Sequence, residues 1–193
     1  MLEGNTGSNQ GKFPFNDVPA GYEWAKPYIQ ELVDQEVTTG VTPTEFQPGK
    51  SVTRAQFVTM IGRALKVEAA ASNETFKDVK QGEYYTPYVL KAAEMGLVKG
   101  DDGFFKPNAP ITREQMALII TRLYDHQKVE VPTGDYKAFK DYDKISPYAR
   151  EAIGALKALN IISGKANGTF APRERLTRAQ SAKVLVESLQ HVK

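Results

Sequence analysis

Three observations make this chain mainly helical and internally repeated. One residue pattern returns three times at almost a fixed interval, two stretches in each copy place apolar residues at helical spacing, and turn residues separate those stretches. The strongest anchor is Val52-Thr53-Arg54-Ala55-Gln56, which returns as Ile111-Thr112-Arg113-Glu114-Gln115 and as Leu176-Thr177-Arg178-Ala179-Gln180. Phe15-Asn16-Asp17-Val18 returns as Phe76-Lys77-Asp78-Val79 and as Phe139-Lys140-Asp141. The arginines lie 59 and 65 residues apart, and Gly40, Gly100 and Gly164 lie 60 and 64 apart. Several anchors therefore keep one order and nearly one period.

Each copy reads as helix, loop, helix, over 13–67, 75–125 and 137–190, with 1–12 as a tag or linker. The first helix is expected to begin near Pro27, Pro87 and Pro147, because proline is favoured where a helical N–H has no partner. Thr86 and Ser146 are good N-caps before it; Lys26 is not, which moves the start of copy one toward Trp24. Tyr28, Ile29, Leu32 and Val33 supply an apolar face. The helix should end at Glu36, Gly96 and Asn160. Gly and Asn suit a left-handed C′ residue and Glu36 suits it poorly. Val37, Leu97 and Ile161 follow as an apolar latch.

Asp102-Gly103 and Asn167-Gly168 are strong turn dipeptides. Phe46, Phe105 and Phe170 each stand two residues before a proline and read as core plugs under the loop, with ligand contact as the other reading. The second helix opens at the Thr-Arg motif and continues in copy one with Phe57, Val58, Ile61, Ala64 and Leu65. Polar linkers are expected at 68–74 and 125–136. Neither helix pair buries its apolar face alone, so the copies must pack on one another as one cooperative unit.

Composition narrows the function classes. Hydrophobic residues make up 41% of the 193, an ordinary globular share, and the apolar runs are too short to span a membrane. A net charge of +2 is too balanced for a general nucleic-acid binder. With no cysteine, disulfides, thiolate catalysis and cysteine-held metals are excluded. His126 and His191 lie in a linker and near the C-terminus, away from every motif, and neither Asp101-Asp102 nor Asp141-x-Asp143 completes a calcium loop. No catalysis, cofactor or metal is expected. A helical protein-interaction repeat is the competing class; a helix-turn-helix DNA reader is disfavoured because the basic residues come singly.

Thr-x-x-Gln at a helix start is a capping box, which accounts for Thr53/Gln56, Thr112/Gln115 and Thr177/Gln180. The arginine has no such account. It occupies the first helical position, where the macrodipole disfavours a cation, in all three copies. Free N–H groups at a helix N-terminus already attract anions, and a guanidinium adds a planar fork suited to a carboxylate. Two readings are open: three anion-binding corners at Arg54, Arg113 and Arg178, or inter-copy salt bridges to Asp17, Asp78 or Asp141. Glu114 stands next to Arg113 and is expected to weaken that corner or pair with it. Trp24, the single tryptophan, reads either as a core or edge aromatic or as a sugar-stacking surface.

The succession Phe-x-Asp-Val, aromatic, helix, Gly, Phe-x-Pro and Val/Ile-Thr-Arg-Ala-Gln resembles the S-layer homology domain, from about Phe13 to Leu189. The resemblance implies an all-α, pseudo-threefold trimer within one chain, with the second helices as a central bundle and the loops as three prongs with grooves between them. It further implies non-covalent anchoring to the wall or S-layer of a Gram-positive bacterium, through an acidic secondary cell wall polymer containing pyruvylated N-acetylmannosamine. A monomeric module without nucleic-acid binding or membrane insertion follows. The family's groove arginine maps onto Arg54, Arg113 and Arg178; Trp24, Gly40, Gly100, Gly164, Asp17, Asp78 and Asp141 join them as candidate ligand-binding residues. Gln replaces the family's usual Glu in every copy, Glu114 replaces an alanine, and copy three lacks both the valine after Asp141 and a tryptophan. Three unequal grooves are therefore expected. Modules resembling this one are often attached to enzymes, so a fragment of a surface glycosidase is the alternative parent.

Overall fold

The computed structural model describes residues 12–68 and 76–192. The tag or linker expected at 1–12, apart from Lys12, and most of the 68–74 linker lie outside the described residues. Among the described residues there are six α-helices and no strand: α1 (Lys26–Asp34), α2 (Arg54–Ala64), α3 (Thr86–Glu94), α4 (Arg113–His126), α5 (Arg150–Ala158) and α6 (Arg178–Leu189).

The first helices differ from expectation at their starts. Pro27 and Pro87 sit in the first turn of α1 and α3, but Pro147 opens a separate 3-10 turn, Pro147–Ala149, and α5 begins only at Arg150. Trp24 belongs to the 3-10 segment Ala20–Ala25 that precedes α1. Thr86 is the first residue of α3 rather than its cap, and Ser146 holds the N-cap position of the 3-10 turn without a side-chain capping bond. The Thr86 hydroxyl donates to the Lys80 carbonyl at 2.6 Å, and the Ser146 hydroxyl donates to Glu114 at 3.0 Å.

The helix ends follow the expected positions. Glu36, Gly96 and Asn160 have φ of 59°, 74° and 59°, so Glu36 adopts the left-handed conformation despite its Cβ. The next amide then reaches back into the helix: Val37 to Leu32, Leu97 to Ala92 and Ile161 to Leu156, at 2.8–3.0 Å. Val37, Leu97 and Ile161 are buried, so each left-handed residue is held by the hydrophobic latch behind it.

The copies interlock through backbone bonds as well as side chains. The amide of Val52 donates to Leu176, that of Leu176 to Ile111, and that of Ile111 to Val52, at 2.9–3.0 Å, which closes a ring of three bonds. All three residues are fully buried. The principal helix packing is also between copies: α2 on α3, α4 on α5, and α6 on α1. Each second helix thus covers the apolar face of the following copy's first helix, and copy three returns to copy one.

The linker between copies two and three is packed rather than loose. Asp125 and His126 complete α4, and Val129, Val131 and Tyr136 rest on the core. The backbone at Gly134 lies so close to Gly154 of α5 that a Cβ on either would overlap the other's carbonyl. Gly134→Ala is therefore expected to cost about 1–3 kcal/mol by overpacking. Gly21→Ala, where nothing lies within 4 Å of the added Cβ, should be nearly neutral. Denaturant unfolding of the two variants side by side checks this.

Candidate functional site

The three Thr-Arg corners share one geometry. In each, the Thr hydroxyl accepts from the third helical amide and the Gln side chain accepts from the Thr amide, at 3.0–3.3 Å. The first two helical amides are also engaged. Arg54 and Ala55 donate to the Ala109 and Pro107 carbonyls, Arg113 and Glu114 to Glu174 and Pro172, and Arg178 and Ala179 to Lys50 and Pro48. The expected anion site made of free helix N–H groups is thus absent, because the neighbouring copy's Phe-x-Pro segment supplies their acceptors.

What remains for an anion is the guanidinium. Arg54 Nε donates to the Phe105 carbonyl at 2.9 Å, Arg113 Nε to Phe170 at 2.8 Å, and Arg178 Nε to Phe46 at 2.6 Å. Each guanidinium also lies 4.6–4.8 Å from the centre of the same phenylalanine ring, in cation–π contact. Burial pulls all three arginine pKa values down, while nearby carboxylates, Asp78 for Arg54, Glu174 and Asp141 for Arg113, and Asp17 for Arg178, push them back up. Among the described residues no salt bridge joins an arginine to Asp17, Asp78 or Asp141.

Those aspartates have a different task. Each carboxylate accepts from two successive amides of its own copy's loop: Phe46 and Gln47 for Asp17, Phe105 and Lys106 for Asp78, and Phe170 and Ala171 for Asp141, at 2.6–2.9 Å. Gln47, Lys106 and Ala171 are non-glycine residues at φ of 56–62°, a strained conformation that the aspartate pins. The carbonyl just before each of them receives the arginine of the preceding copy. The aspartate therefore positions the acceptor that orients the guanidinium.

A groove opens at each corner, between one copy's arginine, the next copy's loop and second helix, and an aromatic from the copy after that. The Arg54 groove holds Gly100, Gln115, Arg122 and Tyr148 in about 480 Å³. The Arg113 groove holds Gly164, Gln180, Lys183 and Trp24 in about 320 Å³. The Arg178 groove holds Gly40, Gln56, Arg63 and Tyr84 in about 190 Å³. Trp24, Tyr84 and Tyr148 are 44%, 54% and 54% exposed, so none is a core residue. The glycines are needed for packing as well: a Cβ at Gly100 would stand 2.9 Å from the Phe76 ring, and Gly40 and Gly164 lie similarly against Phe15 and Phe139.

Tyr84 and Tyr148 are groove aromatics missing from the sequence-based expectation; Tyr84 stands three residues before Pro87 as Trp24 does before Pro27, whereas the proline of copy three lies before Tyr148 and hides the match. Counted back from Glu36, Gly96 and Asn160, Trp24, Tyr84 and Tyr148 all stand twelve residues before the helix end. Glu114 corrects a second expectation. It is buried and turned away from Arg113, accepting from the Ser146 amide, the Ser146 hydroxyl and the Tyr148 hydroxyl at 3.0–3.1 Å. It fixes the aromatic wall of the Arg54 groove. The grooves are unequal for another reason. Arg63 and Arg122 give two grooves a second cation, whereas the same position of α6 is Glu187, paired with Lys183 at 3.0 Å. Arg113 also commits one terminal nitrogen to the Ser163 carbonyl at 3.2 Å.

The S-layer homology domain model matches three stretches, 14–58, 75–117 and 138–182, which fall on the three copies. The chain belongs to the S-layer homology domain family. It is 40% identical over 188 residues to an endoglucanase of Bacillus sp. (strain KSM-635), covering 96% of this chain and 20% of that protein. It is 35% identical to an amylopullulanase of Thermoanaerobacterium thermosulfurigenes, covering 91% of this chain and 9% of that protein. It is 30% identical to an S-layer protein of Bacillus thuringiensis subsp. finitimus, covering 90% of this chain and 21% of that protein. The chain thus spans about a fifth or less of the length of these relatives. An S-layer homology domain is a binding module rather than a catalytic one, and cell-wall anchoring is its general role. No helix among the described residues is long and apolar enough to cross a membrane.

Proposed function

We propose that this S-layer homology module anchors a larger surface protein by holding an acidic secondary cell wall polymer in its inter-copy grooves. The module works outside the cell, at the wall or S-layer of a Gram-positive bacterium. The ligand is a sugar bearing a carboxylate, of the pyruvylated N-acetylmannosamine kind. One observation carries the reading. In each groove a guanidinium tethered through Nε shares the lining with an exposed aromatic. The fork suits a carboxylate and the aromatic face suits the C–H surface of a sugar ring.

The three copies form a pseudo-threefold trimer, with the second helices at its centre and the loops as prongs. The closed ring of Val52, Ile111 and Leu176 bonds supports this arrangement. Because each copy's apolar face is covered by another copy of the same chain, the module acts as a monomer. Its parent is an S-layer protein or a surface glycosidase, the two kinds of name its relatives carry.

Calorimetry with purified polymer, before and after removal of the ketal-linked pyruvate, tests the ligand. Stripping the pyruvate is expected to abolish most of the affinity. Undiminished binding to the stripped polymer rejects the anion reading.

A further inference from the structure

The Arg54 groove does not end at Tyr148. On the far side of that ring, between α4 and α5 and under the 131–136 segment, lies a second basin of about 680 Å³. The two hollows share Leu118, Arg122 and Tyr148, so Tyr148 is the partition between them and not the end wall.

The basin has a definite origin in the sequence. Counted from the helix ends, Tyr28, Tyr88 and Ala152 are equivalent, each eight residues before Glu36, Gly96 or Asn160. In the other two junctions the tyrosine fills the space. Tyr28 donates to Glu187 of α6 at 3.1 Å, and Tyr88 packs on Gly62 of α2 beneath Arg63. Copy three has alanine there, buried and lining the basin floor beside Ala155. A missing phenol leaves the hollow open.

The lining changes character across Tyr148. Arg122 lines both hollows; the groove side adds Arg54, Lys99 and Lys106 against one carboxylate, Asp101, and the basin side adds Asp125 and Glu151, with the hydroxyls of Thr121 and Thr133. Carboxylates repel an anionic sugar but accept well from neutral sugar hydroxyls. Glu114 holds Tyr148 by its hydroxyl between the two, leaving a ring face toward the cavities.

We infer that the basin is an extension subsite that takes uncharged sugar residues of the same polymer, adjoining a carboxylate-bearing residue seated at Arg54. This rests on the groove reading given above, and it gives the chain a direction: charged residue at Arg54, neutral residues past Tyr148. The Arg54 groove then grips a longer stretch of polymer than the other two.

Two probes separate the ideas. One is the methyl glycoside of pyruvylated N-acetylmannosamine; the other extends the same residue by two neutral sugars. In amide chemical-shift mapping, the short probe should move groove amides near Gly100 and Gln115, and the longer one should also move Thr133, Gly134 and Ala155. The longer probe should bind about tenfold tighter, as one or two added hydrogen bonds allow. Ala152→Tyr restores the residue that the other copies accommodate and should remove that advantage while leaving the short probe's binding unchanged. If this variant does not fold, Thr133→Ala with Glu151→Ala makes the same test from exposed positions. A longer probe that moves groove amides alone, or a length advantage that survives both sets of substitutions, overturns the extension subsite and leaves the groove reading standing. Failure of either probe to move the groove amides overturns both.

Discussion

Arg178→Ala is expected to lower both the melting temperature and the affinity for a carboxylate-bearing wall polysaccharide. The side chain is buried, donates to the Phe46 carbonyl and covers the Phe46 ring. Losing a charged hydrogen bond of this kind costs about 1.5–3 kcal/mol. In a protein of this size that is a melting shift of about 3–12 °C. The same range at the ligand is about 10- to 150-fold in affinity. Arg54→Ala should behave alike, since its bond and ring contact are equivalent. Arg113→Ala should have the mildest effect on binding. Its groove lacks a second arginine, its Lys183 is neutralised by Glu187, and one of its own terminal nitrogens is engaged by Ser163. Melting curves and calorimetry on the three variants decide the matter. Equal losses of affinity remove the ranking, and three destabilised but fully binding variants assign the arginines to the fold alone.

Asp141→Ala is expected to be more damaging to stability than any of the arginine changes. Both carboxylate oxygens are bonded to amides, at 2.7 and 2.9 Å, and the residue is only 8% exposed. Its removal orphans two N–H groups and releases Ala171 from a left-handed conformation it does not favour. The two unpaired donors cost about 2–6 kcal/mol, and relief of the strain at Ala171 offsets only part of that. Asp141→Asn keeps one acceptor and should cost about half as much. The damage should spread to the Arg113 groove, because the Phe170 carbonyl that orients Arg113 stands in the same turn. Denaturant unfolding measures the first effect. A loss under about 1 kcal/mol for Asp141→Ala would show that the loop holds its shape without the clamp.

Much of the local structure was legible because local rules are written in short spacings. Thr and Gln three residues apart make a capping box whatever lies around them, and the box is present at all three second helices. The apolar latches at Val37, Leu97 and Ile161 bury as their position demands, and Phe46, Phe105 and Phe170 fill the core beneath the loops. The start of α5 misled for an equally local reason. Proline marks a first helical turn, but it suits a 3-10 turn as well, and Pro147 takes the latter. The displaced alignment then hid Tyr148 as the counterpart of Trp24 and Ala152 as the counterpart of Tyr28.

The sequence by itself determined the repeat, two helices in each copy, the capping boxes of the second helices and the residue types available at each corner. Which copy those residues serve was decided only by tertiary structure. Arg54 follows Thr53 in the chain yet bonds to Phe105, 51 residues on, and Arg178 reaches Phe46, 132 residues back. Glu114 adjoins Arg113 yet holds Tyr148. The physical reason is the direction of the side chains and of the free amides at a helix start. They project beyond the helix end, where the chain's own copy offers no acceptor, so their partners come from the next copy. Nothing in a single period of the sequence records which neighbour that is.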